Sequence, residues 1–154
     1  MKKLFIYLVF VTLFSLSSIY SEESILILPF DSKYAASEKG TDSVYSNFSD
    51  ELSDNLKDKY KIISGDKVIR ILKKLNLDGI TEFENSEIDL IIKESNAKYV
   101  IFGVVERQSK KITKYLTIKC MKVENKSIVF EDDLKLKLTK DVTYRIVKKL
   151  IKVL

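Results

Sequence analysis

Two long apolar runs, Ile25–Leu28 and Tyr99–Val105, frame the pattern of hydrophobic and polar positions in this chain. Uninterrupted apolar runs of this length are typical of strands that are covered on both faces. We therefore predict that both strands lie in the middle of a sheet. Pro29 follows the first run and predicts the end of that strand, because proline has no N–H to give to a strand ladder.

The segment between the two runs has helical periodicity. Every fourth residue is apolar, which predicts one buried face of a helix over 44–59, with Thr41 or Ser43 as its N-cap. The apolar positions are Val44, Phe48, Leu52, Leu56 and Tyr60. The residues Tyr60–Ser64 then predict a short strand.

Two further helices are predicted before the second apolar run. Asp66 is a candidate N-cap for a helix whose apolar residues are Val68, Ile69, Leu72 and Leu75. The sequence Ser86-Glu87-Ile88-Asp89 has the spacing of a capping box and predicts the start of a third helix.

The last part of the chain predicts a β-hairpin and a closing helix. Apolar and polar residues alternate over 116–121 and 128–138, with the polar turn Glu124–Lys126 between them. Helical spacing then returns at Val142, Ile146, Leu150 and Val153. The predicted order β-α-β-α-α-β-β-β-α indicates a mixed α/β fold, with helices packed on a single sheet.

A 13-residue polar connection, Asp31–Ser43, is the candidate partner-binding loop. Binding residues gather on loops, and crevices form at the carboxyl ends of strands in open α/β sheets. The candidate contact residues are Tyr34, Ser37 and Lys39, since tyrosine is enriched at interfaces. The alternative is a plain surface loop in which Tyr34 folds back onto the sheet.

The N-terminal residues 1–21 have the pattern of a secretory signal peptide. A basic start at Lys2 and Lys3 precedes an apolar stretch and then small residues, which predicts cleavage after Ser21 or Ser17. An uncleaved membrane anchor is the alternative. No cysteine lies near the cleavage region, so a lipoprotein is not expected. The mature chain, 22–154, predicts a single domain that is periplasmic or secreted.

Positive charge is concentrated at the C-terminus. Removal of Lys2 and Lys3 lowers the formal net charge of +5 to +3. The segment 139–154 holds five basic residues and one acidic residue, so a local basic surface is predicted rather than a nucleic-acid-binding protein. Its candidate residues are Arg145, Lys148, Lys149 and Lys152. They form either a solvated helix face or a contact for anionic membrane, cell-wall polymer or an acidic partner.

The composition argues against most catalytic chemistry. The chain has no histidine, which excludes histidine triads and most zinc sites. Four scattered glycines give no phosphate cradle. Cys120, the single cysteine, lies on the apolar side of a predicted strand and is expected to be a buried structural thiol. We expect no cofactor, no bound metal and no small-molecule substrate.

Several motifs occur in an order that resembles a known family. They are Ile27-Leu28-Pro29-Phe30, the helix over 44–59, the stretch Tyr60–Val68, the stretch Ala97–Val105 and the charged hairpin. In this order they resemble the small periplasmic α/β domain shared by the TolB N-terminal domain, CsgG, FlgO and LpoB. The chain departs from that family at Ser64-Gly65-Asp66, where relatives often have an Asp-Arg pair. It also lacks the lipid-bearing cysteine and the pore-forming hairpins of CsgG.

The resemblance and the composition together predict a non-enzymatic, exported interaction module of the cell envelope. Such a module would bind a protein partner through a loop or an exposed sheet edge. The alternative from a different class is an envelope hydrolase with a carboxylate-only active site.

Overall fold

The computed structural model describes residues 23–33, 39–77, 83–107, 114–136 and 139–154. The predicted signal segment lies outside the described residues. The described part contains, in order, β1 (Glu23–Ile27), β2 (Asp31–Lys33), α1 (Lys39–Leu56), β3 (Tyr60–Ile63), α2 (Asp66–Lys74), α3 (Asn85–Ser95), β4 (Tyr99–Arg107), β5 (Lys114–Lys122), β6 (Ser127–Leu136) and α4 (Thr139–Leu150).

The strands form a single mixed sheet with the order β3-β1-β4-β5-β6. Strand β1 is parallel to both β3 and β4, whereas β4, β5 and β6 are successively antiparallel. The predicted fold class is therefore confirmed, and both continuous apolar runs lie centrally as expected. The short strand β2 is an addition to the predicted order.

Pro29 interrupts the first strand without ending its path along β4. Ile27 lies opposite Ile101 and Asp31 lies opposite Val104, so three residues of the first strand face two of β4. This is the geometry of a one-residue bulge. The prediction of a 13-residue connection was wrong, because β2 and the early start of α1 at Lys39 occupy most of it. Strand β2 was not predicted because its sequence is polar, and it is recognised as a strand only by its pairing with β4.

Three predicted helix caps are also corrected. Thr41 and Ser43, the candidate N-caps of α1, lie within that helix, which begins at Lys39. The N-cap of α2 is Gly65, at φ 53°, and Asp66 is the first helical residue. The N-cap of α3 is Glu84, two residues before the predicted capping box. Glu84 and Glu87 form that box reciprocally, and the Glu84 N–H donates to Glu87 Oε2 at 2.8 Å. Glutamate is an uncommon N-cap, so the N-cap preference for serine led to a predicted helix start two residues too late.

The helices cover the sheet on both faces. Phe48 and Leu52 of α1 pack with Ile27 and Ile101 in one core cluster, as predicted, and α4 adds Ile146 to it. On the opposite face, α2 and α3 pack against β1, β3 and β4 in a second cluster. Its buried residues include Leu26, Leu28, Ile63, Val68, Leu72, Ile91 and Val100.

The close approach of Phe30 to β4 explains the glycine inside this strand. A Cβ atom added at Gly103 would lie 2.8 Å from a carbon of the Phe30 ring. The Phe30 ring packs in turn on Tyr45 and Phe48, with ring centroids 5.5 Å apart in each pair. Two motifs named in the sequence, the Pro-Phe pair and the glycine of the second apolar run, therefore form one packing unit.

Candidate partner-binding surfaces

The predicted loop contacts lie largely outside the described residues. Tyr34 and Ser37 are not described, and Lys39 is described only as the first residue of α1. The docking role of this loop therefore stays a prediction.

Tyr45 of α1 links the carboxyl ends of β1 and β3. The Tyr45 hydroxyl donates to the Ile27 carbonyl at 3.2 Å and accepts from the Gly65 N–H at 2.9 Å. Burial raises the pKa of this hydroxyl, which keeps it neutral. Tyr45 therefore lies at the carboxyl end of β1, the position at which binding crevices form in open α/β sheets.

The four predicted basic residues of the C-terminal segment differ in their contacts within the domain. Lys149 Nζ lies 2.7 Å from Asp132 Oδ2 of β6, so its charge is paired within the domain. Lys148 Nζ lies 5.9 Å from the centroid of the Tyr144 ring, a cation–π distance. Arg145 and Lys152 are exposed. Within the described residues, Lys148, Arg145 and Lys152 are in no ion pair.

A groove of about 310 Å³ separates α1 from α4 on the outside of the domain. The residues that line it are Glu51, Asn55, Tyr144, Val147, Lys148, Ile151 and Lys152. Sequence reasoning missed this groove. The signal that could have found it is a second helical stripe of α4, offset from the core stripe, with Tyr144, Val147 and Ile151 at i, i+3 and i+7.

A second cleft, of about 440 Å³, lies beside the hairpin turn and contains two carboxylates. Each carboxylate faces a lysine. Glu23 Oε1 is 2.8 Å from Lys98 Nζ, and Glu124 Oε2 is 2.7 Å from Lys122 Nζ. The hydrogen bond from Lys122 holds the pKa of Glu124 below its ordinary value. A general acid needs the opposite shift, so Glu124 is not suited to that role.

The outer edge of β6, a ten-residue strand, has no partner strand within the part of the chain that the structure describes. Strand β6 pairs with β5 on one side, and no described strand pairs with the other. The acidic residues Glu131, Asp132 and Asp133 lie in its middle. Glu131 is bound to Lys119 of β5 at 2.7 Å, whereas Asp133 is exposed and in no ion pair with a described residue. Charged residues of this kind discourage uncontrolled pairing of an edge strand.

Cys120 is fully buried, as predicted. Burial raises the pKa of its thiol to about 12, so the thiolate needed for nucleophilic attack does not form near neutral pH. In the described ranges, no group of three or more possible ligand residues is arranged to hold a metal ion. No helix within those ranges is long and apolar enough to cross a membrane.

Comparison with known proteins identifies the fold. No protein-family model matches the sequence, and no curated protein matches it. Among solved structures, the LpoB C-terminal domain from Escherichia coli is similar with a TM-score of 0.60 and 14% identity, over 79% of this chain and 87% of that one. Lipoprotein GNA1162 from Neisseria meningitidis is similar with a TM-score of 0.53 and 12% identity, over 84% and 94% of the two chains.

TolB from Acinetobacter baumannii is similar with a TM-score of 0.53 and 11% identity, over 86% of this chain and 28% of TolB. None of these three proteins is named as an enzyme. The resemblance to TolB and LpoB inferred from the sequence is thereby confirmed at the level of the fold. The described domain has the α/β fold of the LpoB C-terminal domain and of the matching part of TolB.

Proposed function

We propose that this chain is an exported, non-enzymatic module of the cell envelope, and that it binds a protein partner by strand addition along β6. The observation that carries the proposal is the open ten-residue edge of β6. In strand addition, an extended segment satisfies the free N–H and C=O groups of such an edge. The fold shared with LpoB and lipoprotein GNA1162 supports an envelope role.

The charges along β6 indicate the chemistry of the added segment. Asp133 is exposed beside the open edge and would face a cross-strand neighbour of the partner. Opposite charges at directly facing positions stabilise a strand pair, whereas like charges destabilise it. The partner segment is therefore expected to be extended and to carry lysine or arginine opposite the acidic centre of β6.

An envelope hydrolase with a carboxylate-only site remains the alternative function. The cleft lined by Glu23 and Glu124 brings two carboxylates into one lining. The ion pair with Lys122 stabilises the charged form of Glu124, which disfavours its use as a general acid. A screen of the purified protein against glycoside and ester substrates, with Glu124→Gln as the matched variant, tests this function directly.

A proline substitution in β6 tests strand addition. The N–H groups of neighbouring residues in a strand point to opposite sides. Of Asp132 and Asp133, one therefore directs its N–H to the outer edge and the other to β5. Proline at the first position removes only an outward N–H, whereas proline at the second breaks the ladder with β5. The variant that keeps wild-type circular dichroism and melting temperature is the one to use. We expect it to lose the envelope protein that co-purifies with the tagged wild type.

The control for this experiment is Lys73→Glu with Lys93→Glu, which leaves both β6 and the C-terminal helix unchanged. Strand addition is supported if the control still binds the partner and the folded proline variant does not. If the folded proline variant binds the partner as well as the wild type, the β6 edge is not the binding site.

Export is tested separately by mass spectrometry of the protein from its native cell. A chain that starts after Ser17 or Ser21 is the expected result, since signal peptides are removed in the mature protein. An intact Met1 in the membrane fraction would instead support the anchor.

A further inference from the structure

The groove between α1 and α4 is a surface separate from the β6 edge. Helical hydrogen bonding continues past the end of α4, since the Ile151 N–H donates to the Val147 carbonyl at 2.9 Å. Tyr144, Val147 and Ile151 therefore form one continuous helix face along the groove. The opposite wall is formed by Glu51 and Asn55 of α1.

The floor of the groove is apolar and includes an aromatic side chain. Val147 is buried and Ile151 is half-buried, while 52% of Tyr144 remains exposed. Exposed tyrosines beside apolar side chains are enriched at protein interfaces, because they combine a large contact area with few rotatable bonds. This floor could accept apolar side chains from another molecule.

The rim of the groove carries positive charge that the described part of the domain does not neutralise. Lys148 and Lys152 stand on the α4 side and are in no ion pair with a described residue. The one acid in the lining, Glu51, stands on the α1 wall, where Asn55 Nδ2 donates to Glu51 Oε1 at 3.2 Å and to the Glu51 carbonyl at 2.7 Å. Two lysines therefore face one carboxylate, and the lining has a net positive charge. The groove therefore combines an apolar floor with a basic rim.

From this combination we infer that the groove docks an acidic amphipathic helix of a partner protein. A furrow between two packed helices has the shape that receives the ridge of a third helix, and amphipathic helices bind through apolar residues at i, i+3, i+4 and i+7. Lys148 and Lys152 are one helical turn apart, so they match acidic residues at i and i+4 on the docked helix.

Two other occupants fit the groove less well. A flat bilayer surface would meet the exposed lysines but would not reach the floor at Val147. A second copy related by a two-fold axis would bring two basic α4 helices together, and like charges across an interface are repulsive.

Site-specific photo-crosslinking tests the inference. The full-length protein, with benzoylphenylalanine in place of Tyr144, is expressed in the cell that normally makes it, irradiated and analysed by mass spectrometry. We expect a crosslink to a protein segment whose apolar residues have helical spacing and are flanked by aspartate or glutamate. A synthetic peptide of that segment is then titrated against the purified protein.

The charge dependence of peptide binding completes the test. Lys148→Glu with Lys152→Glu should weaken peptide binding by about tenfold, and the loss should shrink at high salt. The matched control, Lys73→Glu with Lys93→Glu, makes the same change in net charge on exposed residues of α2 and α3 and should not weaken binding. Lys148→Gln with Lys152→Gln replaces the test variant if that variant does not fold.

Several results would overturn the inference. These are the absence of any crosslink, a crosslink to lipid, a crosslink to a second copy of this chain, and a crosslink to a segment without helical acidic character. Equal loss of peptide binding in the test and control variants would also overturn it, because the effect would then come from net charge and not from the groove.

Discussion

The two halves of the sheet are built in different ways. In the half formed by β3, β1 and β4, helices cover both faces, and the residues from Ile25 to Leu28 are all buried. In the half formed by β5 and β6, one face is buried through Leu116 and Cys120, while the other carries half-buried or exposed polar residues such as Lys119 and Asp133. From the hairpin, the second core cluster includes only Met121 and Val123 among the described residues.

The two halves differ in how much of their surface is removed from water. Burial on both faces removes most of the apolar area of the parallel half from water, which is the main stabilising contribution in a domain of this size. The antiparallel half keeps a polar face, which costs little in water, and an edge without a described partner strand. Substitutions in the two halves should therefore differ in their effect on stability.

Truncation of a core residue in the first half should have the largest effect. Phe48 has no exposed surface and packs against Ile27 and Ile101, so Phe48→Ala should lower the free energy of unfolding by about 3–5 kcal/mol. Ile128 of β6 is 45% exposed, and Ile128→Ala should cost only about 0.5 kcal/mol. Denaturant unfolding measures both values. Similar losses for the two variants would contradict the difference between the two halves.

Gly103→Ala should give the next largest effect. The added methyl group would lie 2.8 Å from the Phe30 ring, and overpacking of this kind costs about 1–3 kcal/mol. Combining it with Phe30→Leu should recover part of the loss, because the smaller side chain leaves room for the methyl group. A double-mutant cycle checks this coupling. Strictly additive losses would mean that Phe30 is not the obstacle.

The buried thiol predicts a dependence of stability on alkaline pH. Burial raises the pKa of Cys120 from 9.0 to about 12, so the unfolded chain loses this proton first. The contribution of Cys120 to the free energy of unfolding is therefore constant below about pH 9 and decreases as pH rises toward 12. Above about pH 9, the wild type should lose about 1.4 kcal/mol per pH unit more than Cys120→Ala.

The variant Cys120→Ala serves as the control for the tyrosines, since Tyr45 and Tyr60 titrate in both proteins. Unfolding curves between pH 8 and 11 provide the measurement. Parallel pH profiles would show that the thiol is accessible to solvent in the folded state.

The smallest effect is expected on the open face of the hairpin. The ion pair between Lys119 and Glu131 is partly exposed on both sides, and pairs of this kind contribute about 0.5 kcal/mol or less. Glu131→Gln should therefore reduce stability slightly at low salt and hardly at all in 1 M salt, where screening is strong. A loss that persists at high salt would show that this face is more buried than the structure indicates.

The sequence alone predicted the features that depend on local periodicity. The apolar runs identified the central strands, the four-residue spacing identified the face of α1 with Phe48 and Leu52, and the alternation around Cys120 identified the buried side of β5. Each of these patterns indicates which positions of an element are buried, because apolar side chains are favoured in the core and polar ones in water.

The features that depend on distant contacts were decided only by the tertiary structure. Strand β2 is polar, and it is a strand because its backbone pairs with β4. Gly65 caps α2 while its N–H is held by the hydroxyl of Tyr45, 20 residues earlier. The pairing of Lys149 with Asp132 and the groove between α1 and α4 likewise require elements that are far apart in the chain. Local patterns specify which face of an element is buried, but the partner of each face is fixed only when the whole sheet has assembled.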